Sequence, residues 1–169
     1  ETQFEGFREK LRELYPRVHA MCPPVRIAHT GMLFRWKGKS SAAPVVLMAH
    51  YDVVPVDEAG WKHPPFCGEV FDGELWGRGT LDTKITLLGI LEAAERLQKM
   101  SHICDIYFVA TSQEEVGSKG ASVAAHAIDP DLAVALDVTH ATIPQSRPDT
   151  TVPLDAPAAT YGPFVQYKL

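Results

Sequence analysis

Three short apolar runs constrain what this chain can fold into: Pro44-Val-Val-Leu-Met-Ala49, the stretch Asp105-Ile-Tyr-Phe-Val-Ala110, and Leu132-Ala-Val-Ala-Leu136. Each has the length of a strand: the first is a continuous apolar run that reads as a strand buried on both faces, the second reads as the next buried strand and the third as a further strand. Between them lie helical spacings. Ile85, Leu88, Leu91 and Leu97 predict a helix of about four turns, and the small residues from Gly117 to Ala127 predict another. Strands alternating with helices predict an α/β fold, a three-layer sandwich around a mostly parallel central sheet.

The flanking segments fill in the order. Phe4, Phe7, Leu11 and Leu14 predict an amphipathic opening helix, stopped by Pro16 and then by Pro23-Pro24. Gly31 to Trp36 reads as a strand with Lys37-Gly-Lys39 as its turn, and residues 51–68 read as loop. Asp72-Gly73 between Glu69-Val-Phe71 and Glu74-Leu-Trp76 is a two-residue hairpin signal. Residues 141–162 read as a Pro-, Thr- and Ala-rich loop, with Phe164 to Tyr167 as one last strand.

A chain of 169 residues is one domain by this reading, residues 1–169, with an ordinary globular composition of 46% apolar and 22% charged residues. No run of about 18 apolar residues exists, so no membrane partner is expected. The first residues have neither a basic nor an apolar leader region, and the chain does not begin with Met. Compartment is therefore left open, with the cytoplasm favoured. A net charge of −5 without a basic cluster argues against a nucleic-acid partner. Cys22, Cys67 and Cys104 are scattered and odd in number, which reads as reduced thiols.

The chemistry sits where the apolar runs break off. His50-Tyr-Asp52 follows the first run, Glu114-Glu115 follows the second, and Asp137 ends the third. In open α/β sheets ligands bind beyond the carboxyl ends of the strands, where these residues would gather. Asp82 joins them from Trp76-Gly-Arg-Gly-Thr-Leu-Asp-Thr-Lys84. Crowded carboxylates raise one another's pKa unless a cation neutralises them. A His and carboxylate set suits zinc, and the implied chemistry is metal-assisted hydrolysis.

Each residue also has a plainer reading. Asp82 could cap the helix that follows it, although Gly77-Arg-Gly79 suggests backbone packed close to a site. Asp137 could simply start a turn. His50 is expected to offer one ring nitrogen to a metal, with Asp52 accepting a hydrogen bond from the other. Of Glu114 and Glu115, one is expected as ligand and one as general base. His140 reads as structural or as a support behind a metal ligand, and His19, His29, His63, His102 and His126 as surface or loop residues. Lys84 and Arg78 are expected in ion pairs near the site.

His50-x-Asp52-Val-Val-Pro55, Trp61-x-x-Pro-Pro-Phe66, Asp72-Gly-x-x-Trp-Gly-Arg-Gly-Thr-Leu-Asp-Thr-Lys84 and Glu114-Glu115-x-Gly117 together resemble the carboxypeptidase-S/aminoacylase family of dinuclear zinc peptidases, over roughly residues 4–121. From Val109 onward, Gln113-Glu-Glu-Val-Gly117, Gly120-Ala121 and Ala135-Leu-Asp-Val-Thr-His-Ala141 resemble the related tetrahedral and glutamyl aminopeptidases.

The resemblance implies the phosphorylase/hydrolase-like catalytic fold of those peptidases. It also implies His50, Asp82 and Asp137 on one Zn2+ (Co2+ or Mn2+ being alternatives) and Asp82 and Glu115 on a second. Glu114 would be the general base and Asp52 the residue that orients His50. It makes Asp82–Thr83 a candidate cis peptide. The implied activity is hydrolysis of amide bonds in small peptides or N-acyl amino acids. An aminopeptidase of the same class, or a catalytically silent metal-binding module, are the alternatives. Thr83 departs from relatives that carry a second acid there. Both families complete the second metal site with a distant histidine, and the first inserts a lid and dimerisation domain; neither is found in this sequence. The chain is thus expected to be the first part of a catalytic domain, with the second metal position weak or empty, and homo-oligomer formation is an expectation only for a longer protein.

Overall fold

The computed structural model describes residues 2–138. The predicted last strand, the loop at 141–162 and His140 lie outside the described residues. Two helices open the chain, α1 (Thr2–Leu14) and α2 (Pro16–Met21). Pro16 therefore does not simply stop a helix. It begins the second one, where a missing N–H costs nothing and a fixed φ is already helical. The two N–H groups left at that start, from Arg17 and Val18, are met by the Glu95 carboxylate at 3.2 and 2.9 Å.

The central sheet has five strands in the order β1-β2-β6-β3-β7. These are β1 (Val25–Ile27), β2 (Gly31–Trp36), β3 (Ser40–His50), β6 (Cys104–Thr111) and β7 (Leu132–Ala135). β6, β3 and β7 run parallel, while β2 is antiparallel to both β6 and β1. Every strand except β2 thus points the same way, and the mostly parallel sheet is borne out. β1 was not expected: its Val-Arg-Ile alternation is only three residues long, too short to stand out as a strand. A separate hairpin, β4 (Glu69–Phe71) and β5 (Glu74–Trp76), turns at Asp72-Gly73 with φ of 52° and 85°. Both central residues lie in the left-handed region that such a two-residue turn requires.

Helices cover both faces, giving the three layers. On one side α1, α2 and α3 (Lys84–Leu97) bring Leu11, Val18, Leu87 and Leu91 onto Phe34, Ala49, Phe108 and Ala110. Each fully buried Leu or Phe there is worth about 2 kcal/mol relative to exposure. On the other side α4 (Lys119–Ile128) lays Ala121, Ala124, Ala125 and Ile128 over Val46, Met48 and Val109. α4 starts two residues later than Gly117 because Gly117 and Ser118 both hold positive φ. Among the described residues no helix is long and apolar enough to cross a membrane, and the three cysteines are free thiols.

Three of the histidines pack on aromatic rings, because an imidazole edge or face fits beside a ring; His63 and His102 stand in loops as expected, while His19 lies in α2. His19 meets Phe34, His102 meets Trp36, and His63 stacks on Phe71.

One buried acid ties the start of the sheet together. Asp105 is 2% exposed and accepts from the Gly38 N–H at 2.8 Å and from Arg35 Nε at 2.8 Å. A side chain at residue 38 is impossible without movement, since a Cβ there would lie 2.3 Å from the Cys104 carbonyl oxygen. The Gly38 N–H, opposed by burial and helped by Arg35, holds the Asp105 carboxyl below its ordinary value. Its contribution to stability is present above 3.8 and is lost as pH falls through the depressed value. Asp105→Ala leaves the Gly38 donor unmet and should destabilise the chain by about 1–3 kcal/mol, measured by urea unfolding at neutral pH.

Candidate metal centre

The parallel register brings the site together. β3 lies between β6 and β7, and its last residue, His50, pairs with Thr111 at the end of β6. On the other side the Leu136 N–H donates to the Met48 carbonyl at 2.8 Å, which carries the chain past β7 to Asp137 beside His50. Beyond Thr111 the backbone turns sharply. Gln113 has a φ of 62°, an uncommon state for a residue with a side chain, and it delivers Glu114 toward the same rim. The Glu114 carbonyl accepts from the Gly117 and Ser118 N–H groups at 2.9 and 3.0 Å, closing the turn.

His50 is 2% exposed. Its Nε2 lies 3.1 Å from Asp82 Oδ1 and 3.7 Å from Asp137 Oδ1. Ligand atoms of His50, Glu114 and Asp137 all lie within 4.8 Å of one another. Asp82 thus shares the His50 ring nitrogen with this trio, while Glu115 stands outside it. Asp82 does not cap α3: the residue before the helix is Thr83, which makes no capping hydrogen bond. The Asp82–Thr83 peptide is trans, against the expectation of a cis bond. A non-proline cis bond costs about 3 kcal/mol, and the Asp82 carboxylate reaches His50 without it.

The far ring nitrogen meets Asp52 in a way the sequence did not suggest. Nδ1 is 3.2 Å from the Asp52 main-chain carbonyl and 3.5 Å from its carboxylate Oδ1. That carboxylate oxygen also accepts from the Glu114 N–H at 3.4 Å. Asp52 therefore links the His50 ring to the backbone of Glu114. Ser118 Oγ donates to Glu114 Oε1 at 3.4 Å, a contact with no signal in the sequence.

The electrostatics are those of a site short of positive charge. Burial lowers the His50 pKa, but Asp137, Glu114, Asp82 and Asp52 outweigh it and the net direction is up. Burial raises the Glu114 pKa; His50 and Ser118 pull it down, Asp137 and Glu115 push it further up, and it ends raised. A buried imidazole facing several carboxylates is a donor set that fits a divalent cation with nitrogen and oxygen ligands.

Lys84 and Arg78 form no ion pair among the described residues, contrary to expectation. Burial lowers the Lys84 pKa, with Asp52 partly opposing. Arg78 lies over the Trp61 ring at 5.2 Å, and its Nε is buried without a partner. The ring face takes the cation where no acid among the described residues pairs with it. Gly79 bears out the close backbone approach: a Cβ there would stand 2.2 Å from Lys84 Nζ and 2.7 Å from Val53 Cγ1, at a φ of +83°. The lysine end can swing aside more easily than the β-branched Val53. Gly79→Ala should cost about 2 kcal/mol or more from the backbone strain and the overpacking together, read from the urea midpoint.

Comparison with known proteins gives the family. A profile of Peptidase family M20/M25/M40 matches residues 46–155, from β3 through every site residue. The chain belongs to peptidase family M20/M25/M40. Over 123 residues it is 39% identical to the probable carboxypeptidase S-like 2 of Dictyostelium discoideum, covering 69% of this chain and 23% of that protein. Over 118 residues it is 37% identical to the N-fatty-acyl-amino acid synthase/hydrolase PM20D1 of Bos taurus, covering 68% and 24%. The M20 chain thus spans about a quarter of the length of these curated relatives.

Among solved structures, the M20 family metallo-carboxypeptidase Sso-CP2 from Sulfolobus solfataricus aligns with a TM-score of 0.57 at 20% identity, over 79% of this chain and 33% of that one. The TET aminopeptidase from the marine sediment archaeon Thaumarchaeota archaeon SCGC AB-539-E09 aligns with a TM-score of 0.57 at 18% identity, over 85% and 62%. These likenesses show the shared fold, and both branches of the resemblance read in the sequence are represented.

Proposed function

We propose that this M20 chain carries a metal-dependent amide-hydrolase centre acting on small peptides or N-acyl amino acids, with zinc as its ion. The observation that supports it is the buried His50 ringed by Asp82, Glu114 and Asp137 at the carboxyl rim of the parallel strands. Relatives named as a carboxypeptidase and as an N-fatty-acyl-amino acid hydrolase supply the substrate class.

In this reading His50, Asp82 and Asp137 would hold one ion, with Asp82 and Glu115 available to a second. A bound divalent ion supplies Lewis acidity, polarising a carbonyl and acidifying water. Everything else falls to the chain. Glu114 takes the proton from the attacking water and hands it to the leaving amine. Its raised pKa brings it closer to the operating pH, where a carboxylate exchanges protons most usefully in both directions. The Asp52 carbonyl fixes the His50 ring through Nδ1, so that Nε2 faces the carboxylates. Asp52 Oδ1, accepting from the Glu114 N–H, holds the base to the same support.

The order of substrate preference is decided by assay. Metal content per chain is measured, and N-acyl amino acids and aminoacyl amides are offered with and without a chelator. Chelator-sensitive release of the acyl group supports the hydrolase reading. Preference for aminoacyl amides would move it to an aminopeptidase. Bound metal without turnover would make the chain a metal-holding module. Two tightly bound zinc ions per chain would refute a weak second position.

A further inference from the structure

Three arms of the fold meet at one turn outside the metal centre. Thr30 stands between β1 and β2. The β2–β6 ladder pairs Met32 with Ala110, and the same register carried two residues on sets Thr30 against Ser112. There Thr30 Oγ1 donates to Ser112 Oγ at 2.7 Å. On its other side the Thr30 carbonyl accepts from the Tyr51 hydroxyl, and from Arg8 Nη2 at 3.2 Å. Arg8 is 8% exposed and also donates to the His29 carbonyl at 2.6 Å.

Each partner leads to a site residue. Tyr51 directly follows His50 and is held between Phe7, stacked at 5.6 Å, and Phe4, edge-on at 5.2 Å. Ser112 precedes the left-handed Gln113 that delivers Glu114. Ser112 is pinned from behind as well: its carbonyl accepts from the Gly120 N–H at 3.1 Å, and a Cβ at residue 120 would stand 2.3 Å from that oxygen. Thr30 is thus the second tie, besides Gly120, on the start of the Glu114 turn.

We propose that Thr30 is a positioning residue for the metal centre: its hydroxyl sets where the Glu114 turn leaves the sheet, and its carbonyl sets Tyr51 beside His50. The inference rests on the metal-centre reading given above. A cross-strand hydroxyl pair is a short, directional link. The turn it holds carries the Glu114 N–H, which donates to Asp52, whose carbonyl meets His50 Nδ1; groups that orient a metal ligand in this way are worth about 10- to 100-fold in affinity.

The test is a zinc titration of the full 169-residue chain against a chromophoric chelator. Thr30→Val keeps the shape and removes the donor. It should weaken zinc binding by about 10-fold and leave the thermal midpoint of the chelator-treated chain within about 2 °C. Thr30→Ser, which restores the hydroxyl, should return affinity to within about twofold of the parent. Unchanged affinity in Thr30→Val overturns the proposal. Equal weakening in Val and Ser overturns it too, since the methyl's packing would then be responsible. A parent chain that binds no zinc overturns the functional reading, and the positioning role with it. If Thr30→Val does not fold, Ser112→Ala removes the acceptor instead; the same loss supports the role, and parental affinity overturns it.

Discussion

Glu114→Gln is expected to lower hydrolytic turnover by about 10³-fold while the chain retains its metal. Glutamine keeps the size and the hydrogen bond to Ser118 but cannot accept a proton from water. The substitution also separates two roles that proximity alone leaves entangled. Glu114 has a carboxylate oxygen within 4.8 Å of ligand atoms of both His50 and Asp137, so it stands where a ligand could stand. If metal content falls together with turnover, Glu114 is a ligand and the base must be sought elsewhere. If metal stays and turnover is lost, it is the base. Retained turnover removes it from the chemistry altogether.

His50→Ala is expected to weaken divalent-ion binding by more than about 100-fold, since it takes away the buried donor around which the carboxylates gather. It also has a signature in the metal-free protein. Burial lowers the His50 pKa and four carboxylates raise it, with a net rise above 6.5. The folded chain therefore binds this proton more tightly than the unfolded chain does. The stabilisation is fully present below 6.5 and is lost as pH rises through the higher folded value. Glu114, also raised, acts in the same sense at lower pH. Chelator-treated protein should thus lose stability as pH climbs through neutrality, and His50→Ala should flatten that slope. With metal present the slope should shrink or reverse, because protons and cation compete for the same atoms. A parent protein whose metal-free stability is flat from mildly acidic to mildly alkaline pH would contradict the electrostatics assigned here.

Much of the architecture was legible in the residue order. The later halves of β3 and β6 are largely buried and must be apolar, so they announced themselves as continuous runs; β7 showed the same kind of run although none of its residues is buried. Asp72-Gly73 marked its hairpin through the positive φ that few residues tolerate. His50, Glu114 and Asp137 were legible for a related reason: polar groups that follow an apolar strand stand at its rim, whatever the details of the fold. Asp82 follows no such strand and was legible only through its Trp76–Lys84 motif. Short or solvated elements left no such trace. β1 is only three residues long, and nothing in Pro16 alone tells a helix stop from a helix start.

What only the tertiary structure decided are directions and long-range partners. Spacing could not say which oxygen of Asp52 meets the His50 ring; the main-chain carbonyl is nearer than the carboxylate, and the carboxylate meets the Glu114 N–H instead. Nor could it say that Arg78 would lie on Trp61, that Lys84 would be wedged by Gly79, or that Thr30 would face Ser112. Residue types and their intervals determine which segments must be buried and which groups must emerge at a strand end, because solvation acts on each segment locally. The aim of a side chain depends on backbone dihedrals such as those of Gln113, and on the register between strands some eighty residues apart, which no local stretch of sequence encodes.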